Sequence, residues 1–563
     1  MPGTEHTTVA AALVALVESL GFRRAYGVTG GPIAPVCHEL GRSELRALHC
    51  RHESGAAFAA LEDSLASGVP AIVFVTTGPG ITNALTGMCA ARWEGGRVLL
   101  VSASTSRREI GRRAFQETSH ETLPQAGLFG PGPIFDDAWR LDHPTDLPAI
   151  GAAIARGLTR PQGWVGHVSV PIRVQTEPCA PPPRFESRIE PPEVDLALAD
   201  RCAELLGRKS FAIWAGFGAR GAAVEVRRLA ERTGAPVLCS PRGKGVMPED
   251  HPQYVGVTGF GGHAEVKEYL AVTPPEHILV LGTRLGEFTS FWDPAFVPPG
   301  GFVHVDLDPA VPGASFPDAH TFAVRAEVGA FLRALLERIP ERPGSPAWTA
   351  PPRPPAPTAR AHGLIRPEVL LDSLQRCVVE RCAAPILTDA GNAFAWGSHS
   401  LRFPAPARYR TSTGWGAMGH ATSGVIGAAT GRGGVAVALV GDGSMLMQSE
   451  VSTAVRYGIP AAWVVLNDGA YGMIRQGMTA QGLTPLETEL PHTDFAAWAE
   501  SLGAEGVCVA SELELDKTLS RIESLERPLV VDVRVDPSEP APFLKRVQSL
   551  IRQTTHTTQE VQS

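Results

Sequence analysis

No two cysteines in this sequence are spaced CxxC, and the nine present make an odd number. That excludes a cysteine metal cluster and a disulfide framework, and it suits reduced thiols in a reducing compartment. No apolar run approaches the roughly 20 residues that a membrane-spanning helix needs. Basic excess is missing too. The 50 Lys and Arg against 58 Asp and Glu give a formal net charge of −8, which argues against nucleic acid and anionic membranes as partners. The first residues, MPGTEHTTVAAALVALVESLGF, lack the basic leader of a signal peptide and read as an amphipathic first helix, so a cytoplasmic protein is expected. Charged residues make up 19% and hydrophobic ones 44%, the balance of a chain that buries a core. At 563 residues that core must be divided, and about three domains fit.

What the chain does have is buried-strand runs alternating with helical patterns. The expected fold class is α/β, with three successive doubly wound domains and mostly parallel sheets. The expected boundaries are 1–180, 190–342 and 363–545, with a proline-rich linker at 343–362 and a polar tail at 546–563. A further proline-rich stretch at 177–188 reads as the first connection.

The most informative stretch runs from Val440 to Gly472. The apolar run Val435–Val440 reads as a strand buried on both faces, and it ends in Gly441-Asp-Gly443. A helical segment to about Tyr457 and a second strand, Ala461–Leu466, lead to Asn467-Asp468. Two acidic groups, Asp442 and Asp468, therefore stand one crossover apart beyond the carboxyl ends of neighbouring strands, where open α/β sheets bind ligands. Hard oxygen ligands beside helix N-termini suit a Mg²⁺ ion gripping a diphosphate. Gly-Asp-Gly alone would do no more than cap a helix; its combination with the crossover length and the terminal acid is far more specific.

That combination resembles the thiamine-diphosphate motif, with one departure. The second asparagine of the motif is Asp468 here, and the spacing is one residue short. The resemblance extends over the whole chain. Arg51-His-Glu53-Ser-Gly-Ala, Thr77-Gly-Pro-Gly80 with Asn83, and Ala114-Phe-Gln-Glu117 come first. Thr413-Gly-Trp-Gly-Ala-Met-Gly419 and the Gly-Asp-Gly segment follow. Together they resemble the acetolactate-synthase-like thiamine-diphosphate enzymes, in the domain order pyrimidine-binding, central, diphosphate-binding. The resemblance implies that Glu53 hydrogen-bonds the aminopyrimidine ring and promotes its imino tautomer. It implies that Met418 supports the bent cofactor, and that Phe115 and Gln116 border the reacting centre. On the first domain it assigns cofactor contacts to Gly30, Gly31, Glu53, Thr77 and Asn83. On the third it assigns them to Gly416, Met418, Gly441, Asp442, Gly443 and Ser444, and further to Asp468, Ala470, Tyr471, Gly472 and Met473. Metal contacts fall to Asp442, Asp468 and Ala470. His52, His120 and His420 lie near these motifs and take no role.

The implied cofactors are thiamine diphosphate and Mg²⁺. FAD in the central domain is not favoured, because the acidic-basic run that follows Leu281-Gly-Thr-Arg284 in the family is replaced by Leu285-Gly-Glu-Phe-Thr-Ser290. The implied partners are a 2-oxo acid and a carbonyl acceptor. A homodimer or dimer of dimers is expected, with each active site at a subunit interface. Gly477 stands where housekeeping acetolactate synthase has a pocket-shaping tryptophan, so a bulkier substrate is expected. Adjacent histidines typical of pyruvate decarboxylase are absent, which favours carboligation. The alternatives are a non-ligating 2-oxo acid decarboxylase and a non-catalytic homologue.

Overall fold

The computed structural model describes residues 7–119, 128, 130–185, 193–342, 348, 355–447, 449–543 and 546–551. Most of the linker 343–362, most of the tail and His120 lie outside them. Three six-stranded sheets, parallel throughout, carry the chain. The first contains β1 (Arg24–Gly27), β2 (Arg46–His49), β3 (Ala71–Val75), β4 (Arg97–Ser104), β5 (Asp137–Arg140) and β6 (Trp164–Pro171), in spatial order β2-β1-β3-β4-β6-β5. The second contains β7 (Phe211–Ala215), β8 (Val237–Cys239), β9 (Tyr254–Val257), β10 (His277–Leu281), β11 (Phe302–Asp306) and β12 (Thr321–Arg325), in order β9-β8-β7-β10-β11-β12. The third contains β13 (Ile386–Thr388), β14 (Tyr409–Thr411), β15 (Ala436–Gly441), β16 (Ala461–Asn467), β17 (Glu505–Val509) and β18 (Leu529–Arg534), in order β14-β13-β15-β16-β18-β17. The first and third sheets thus repeat one topology. Interior strands such as β3 and β7 are apolar and buried at every residue because helices cover both faces.

The expected first helix is α1 (Val9–Ser19). Part of the proline-rich stretch at 177–188 is not a free linker. Pro178–Cys179 pairs antiparallel with Thr7–Thr8, tying the start of the first domain to its end.

First and third domains share one continuous core. It forms where α2 (Glu53–Ser67) crosses α4 (His420–Arg432), with α3 (Pro79–Glu94) on the other flank of α2. The approach is close because the contact is built from small residues. A Cβ on Gly427 would lie 1.9 Å from the Ala59 carbonyl oxygen, and one on Gly431 would lie 2.4 Å from an Asp63 oxygen. Within this contact the buried Glu62 carboxylate accepts from His420 Nε2 at 2.9 Å and pairs with Arg410. The central domain is fastened to both. Arg242 pairs with Glu94 at 2.7 Å, and the buried Lys244 donates to the Ser398 carbonyl at 3.0 Å. All nine cysteines are free thiols. No described helix is long and apolar enough to cross a membrane.

Candidate active site

The segment after β15 departs from the single helix expected up to Tyr457. It forms one helical turn, Asp442–Met445, and then α5 (Val451–Tyr457). The interruption sets Glu450 at the start of α5, fully buried, where its carboxylate accepts the backbone N–H groups of Arg51 and His52 and the Thr453 hydroxyl. The two residues that precede Glu53 are therefore held by a side chain some 400 positions away in sequence.

On the third domain, a cavity of about 310 Å³ opens at the carboxyl ends of the strands. Three helix starts face it, at Asn392, at Asp442 and at the first residue of α6 (Gly472–Ala480). Of the residues assigned from sequence, Gly416, Met418, Gly441, Asp442, Gly443, Ser444, Asp468, Ala470, Tyr471, Gly472 and Met473 all line it. Asp442 accepts from Gly443 N at 2.7 Å and from Gly469 N at 2.8 Å. Asp468 accepts from Ala470 N at 3.2 Å and lies 3.9 Å from the Arg475 guanidinium. Burial, and then the negative charge of Asp468, push the Asp442 carboxyl up to about 6. Gly443 leaves room for Tyr471, whose ring carbon would lie 2.7 Å from an added Cβ, with the Met418 methyl at 3.6 Å.

On the first domain, Glu53 is the first residue of α2, buried, and its Oε2 accepts from Asn83 Nδ2 at 3.1 Å. The Thr77 hydroxyl donates to Gln116 Oε1 at 3.1 Å. Gln116 holds a left-handed backbone conformation, φ 53°, against the glycine turn after β3, the kind of local strain that concentrates at functional sites. Gly30 packs on Thr76, with 2.7 Å between its Cβ position and the hydroxyl oxygen, while Gly31 faces open space. Phe115 is 90% exposed. None of these first-domain residues lines the third-domain cavity of the same chain. His52 caps α2 and His420 belongs to the Glu62 contact.

Sequence reasoning missed Asn392 and Asp389. Asn392 reaches into the cavity, and its Oδ1 is buried without a hydrogen-bond partner. Asp389 is buried and accepts from Gly419 N, Ala421 N and Thr422 N, which fixes the start of α4 and with it the Met418 loop. The available signal was Thr388-Asp-Ala-Gly-Asn392, a polar glycine turn directly after a strand. Gly477 does not line the cavity, and the Phe543 ring lies 3.8 Å from its Cβ position, an ordinary contact distance.

Three family models match in order along the chain. They are the N-terminal TPP binding domain of thiamine pyrophosphate enzymes at residues 7–123, their central domain at 199–335 and their C-terminal TPP binding domain at 389–533. The chain belongs to the thiamine pyrophosphate enzyme family. This family member is 29% identical to a probable acetolactate synthase large subunit of Methanocaldococcus jannaschii, over 95% of this chain and 93% of that one. It is 28% identical to the acetolactate synthase large subunit of Parasynechococcus marenigrum, over 93% and 87%. It is 26% identical to the acetolactate synthase isozyme 1 large subunit of Escherichia coli, over 94% of each.

The residues of this thiamine pyrophosphate enzyme fit its cofactor. Two carboxylates crowd one another, the Asn392 oxygen lacks a partner, and Gly391, Gly416 and Gly441 leave free space where side chains would intrude. Among the described residues no three His, Cys, Asp or Glu side chains form a metal site. A cation held by Asp442 and Asp468 would draw its other ligands from the Ala470 carbonyl and the diphosphate. A Cβ on Gly472 would lie 2.3 Å from Asp468 Oδ2 and 3.0 Å from Asn392 Nδ2. Gly472→Ala should therefore displace Asp468 and raise the Mg²⁺ concentration needed for cofactor binding about tenfold, with little change in melting temperature. Titration calorimetry of wild type and variant reads this directly.

Proposed function

We propose that this enzyme decarboxylates a 2-oxo acid such as pyruvate and ligates the acyl group to a second carbonyl compound, at sites shared between two copies of the chain. Thiamine diphosphate, when bound, supplies the nucleophilic carbon and the electron sink. Asp442, Asp468 and the Ala470 carbonyl hold Mg²⁺, and the backbone N–H groups at the starts of the facing helices receive the diphosphate. Met418, set by Asp389 through the start of α4, props the cofactor. Glu53, held by the Asn83 amide, holds and moves a proton at the pyrimidine ring. With its oxygen occupied by Thr77, Gln116 keeps its Nε2 hydrogens for a substrate carbonyl oxygen.

One observation carries the shared site. Glu53, Asn83, Thr77 and Gln116 form a cluster apart from the cavity that holds Asp442, so one chain offers two unmatched halves. Their meeting requires a second copy, in a dimer or a dimer of dimers. The test is incubation with pyruvate and assorted aldehydes and oxo acids, followed by mass spectrometry and sizing. Carbon dioxide, a ligated product and an oligomer are expected. Free aldehyde as the main product would favour a non-ligating decarboxylase, and no carbon dioxide from any pair would refute both readings.

A further inference from the structure

Away from the cofactor cavity, the three domains meet around one small void. Glu62 and Glu94 line it from the first domain, Arg220 and Arg242 from the central one, and Arg410 and Thr411 from the third. Three guanidinium groups thus face two carboxylates. Two of the three are matched, Arg410 with Glu62 and Arg242 with Glu94 at 2.7 Å. Arg220 has no carboxylate among the described residues. It donates from Nε to the Phe217 carbonyl at 3.2 Å, and its guanidinium carbon lies 3.5 Å from the Phe217 ring centroid. Arg242 stacks on the same ring at 3.8 Å, so the two cations are close. Glu62 is already shared between Arg410 and His420. Burial, then Arg410 and Arg242, push the Arg220 guanidinium well below its ordinary range. A guanidinium does not give up its proton in a protein, so the charge stays. A second donor is unmatched as well. Thr411 is buried, and its hydroxyl has no hydrogen-bond partner among the described residues. The void measures about 10 Å³, roughly one water-sized sphere, which is too small for a phosphate or a nucleotide.

We propose that this three-domain joint binds one small monovalent anion of chloride size, held by the Arg220 guanidinium and the Thr411 hydroxyl. Water would fill the space but leave the charge unmatched, and an unmatched buried charge is costly. The anion brings the charges around the void to three against three. Glu62 and Glu94 oppose it, but each is spent on a cation of its own. The site also bears on the cofactor half. Glu94 accepts from Ser412 Oγ at 2.7 Å and from Gly414 N at 3.1 Å, at the root of the segment that carries Met418. An anion that holds the joint together therefore holds that root.

The test uses the full-length protein. Melting curves in sodium chloride and in sodium gluconate, whose anion is too large for the void, are compared at one ionic strength for wild type and Arg220→Met. Methionine keeps an apolar stem against Phe217 and removes the charge. General salt effects act on both proteins, so the difference between them isolates the site. Chloride in place of gluconate should raise the wild-type melting temperature by about 4 °C more than that of the variant. In gluconate the variant should melt no lower than wild type. Thr411→Val should raise the chloride concentration that gives half the effect about tenfold, and it carries the test if Arg220→Met does not fold. Crystals grown with bromide should show its anomalous peak between Arg220 and Thr411. An equal chloride response in wild type and Arg220→Met would overturn the proposal, as would a half-effect concentration unmoved by Thr411→Val. A bromide peak without the response in solution means binding at crystal concentration only and overturns it too, as does a response with no peak in the joint.

Discussion

Glu53→Gln is expected to lower kcat by roughly 10³-fold while cofactor affinity stays within about twofold of wild type. The substitution keeps size and shape, and an amide oxygen can still accept from Asn83 Nδ2, which now lies 3.1 Å from Glu53 Oε2. What it removes is the ability to hold and return a proton. Glu53 starts α2, where the helix dipole favours a negative charge by roughly 0.5 kcal/mol. Losing that contribution is small beside the roughly 4 kcal/mol that a 10³-fold change represents. Folding should therefore be nearly untouched and chemistry nearly abolished. In the proposed site the cofactor would be held mainly from the far domain, through Asp442, Asp468 and the helix starts around them, so affinity is the control. Turnover within threefold of wild type, in protein that melts normally and binds cofactor, would remove Glu53 from the mechanism. Equal loss of affinity and turnover would make it a binding residue only.

How much of this could be read from the chain depended on where each contact closes. The strands β3 and β7, AIVFV and FAIWA, are announced by their own apolar runs because both faces are covered. Edge strands are not: β5 is DAWR and β12 is TFAVR, half exposed and polar at the ends. The Gly-Asp-Gly cradle was legible because its glycines, its acid and the crossover length all arise within one βαβ unit. Asn392 lay hidden after a three-residue strand, and its role depends on Gly472 standing opposite it. The break between Met445 and Val451 had no local cause. Helical propensity runs straight through, but Glu450 is required by Arg51 and His52, a tertiary demand that overrides the local one. Gly477 itself lies off the cavity wall, beside Phe543 from the C-terminal segment.

Glu62 is the extreme case of a residue whose meaning is wholly tertiary. In ESGAAFAALEDSLAS it interrupts an otherwise small and apolar helix, and nothing nearby in sequence pairs with it. In the fold its carboxylate is buried between the first and third domains against Arg410 and His420. Burial would raise its pKa, yet Arg410 and then His420 outweigh burial and hold it at about 2. Burial would likewise lower His420, and Glu62 reverses this and raises it. A carboxylate lowered in the fold contributes stability that is complete above its unfolded value and fades as pH falls toward 2. A raised histidine contributes stability that is complete below its unfolded value of 6.5 and fades as pH rises through its folded one. Wild type should therefore lose stability on the alkaline side as His420 gives up its proton. Glu62→Gln leaves Arg410 buried without its counter-charge, and removing one partner of such a pair costs roughly 3–5 kcal/mol. Packing offers no relief, since the Gly424 Cβ position is only 2.7 Å from Glu62 Cγ and α4 cannot close further. The first unfolding transition near pH 6 should fall by roughly 10 °C, and the alkaline slope due to His420 should flatten because its proton is no longer retained. Calorimetric melts at pH 6 and pH 8.5 on both proteins measure this. A variant that melts within 2 °C of wild type at pH 6, with the same alkaline slope, would show that the two domains are held by their small-residue contact alone.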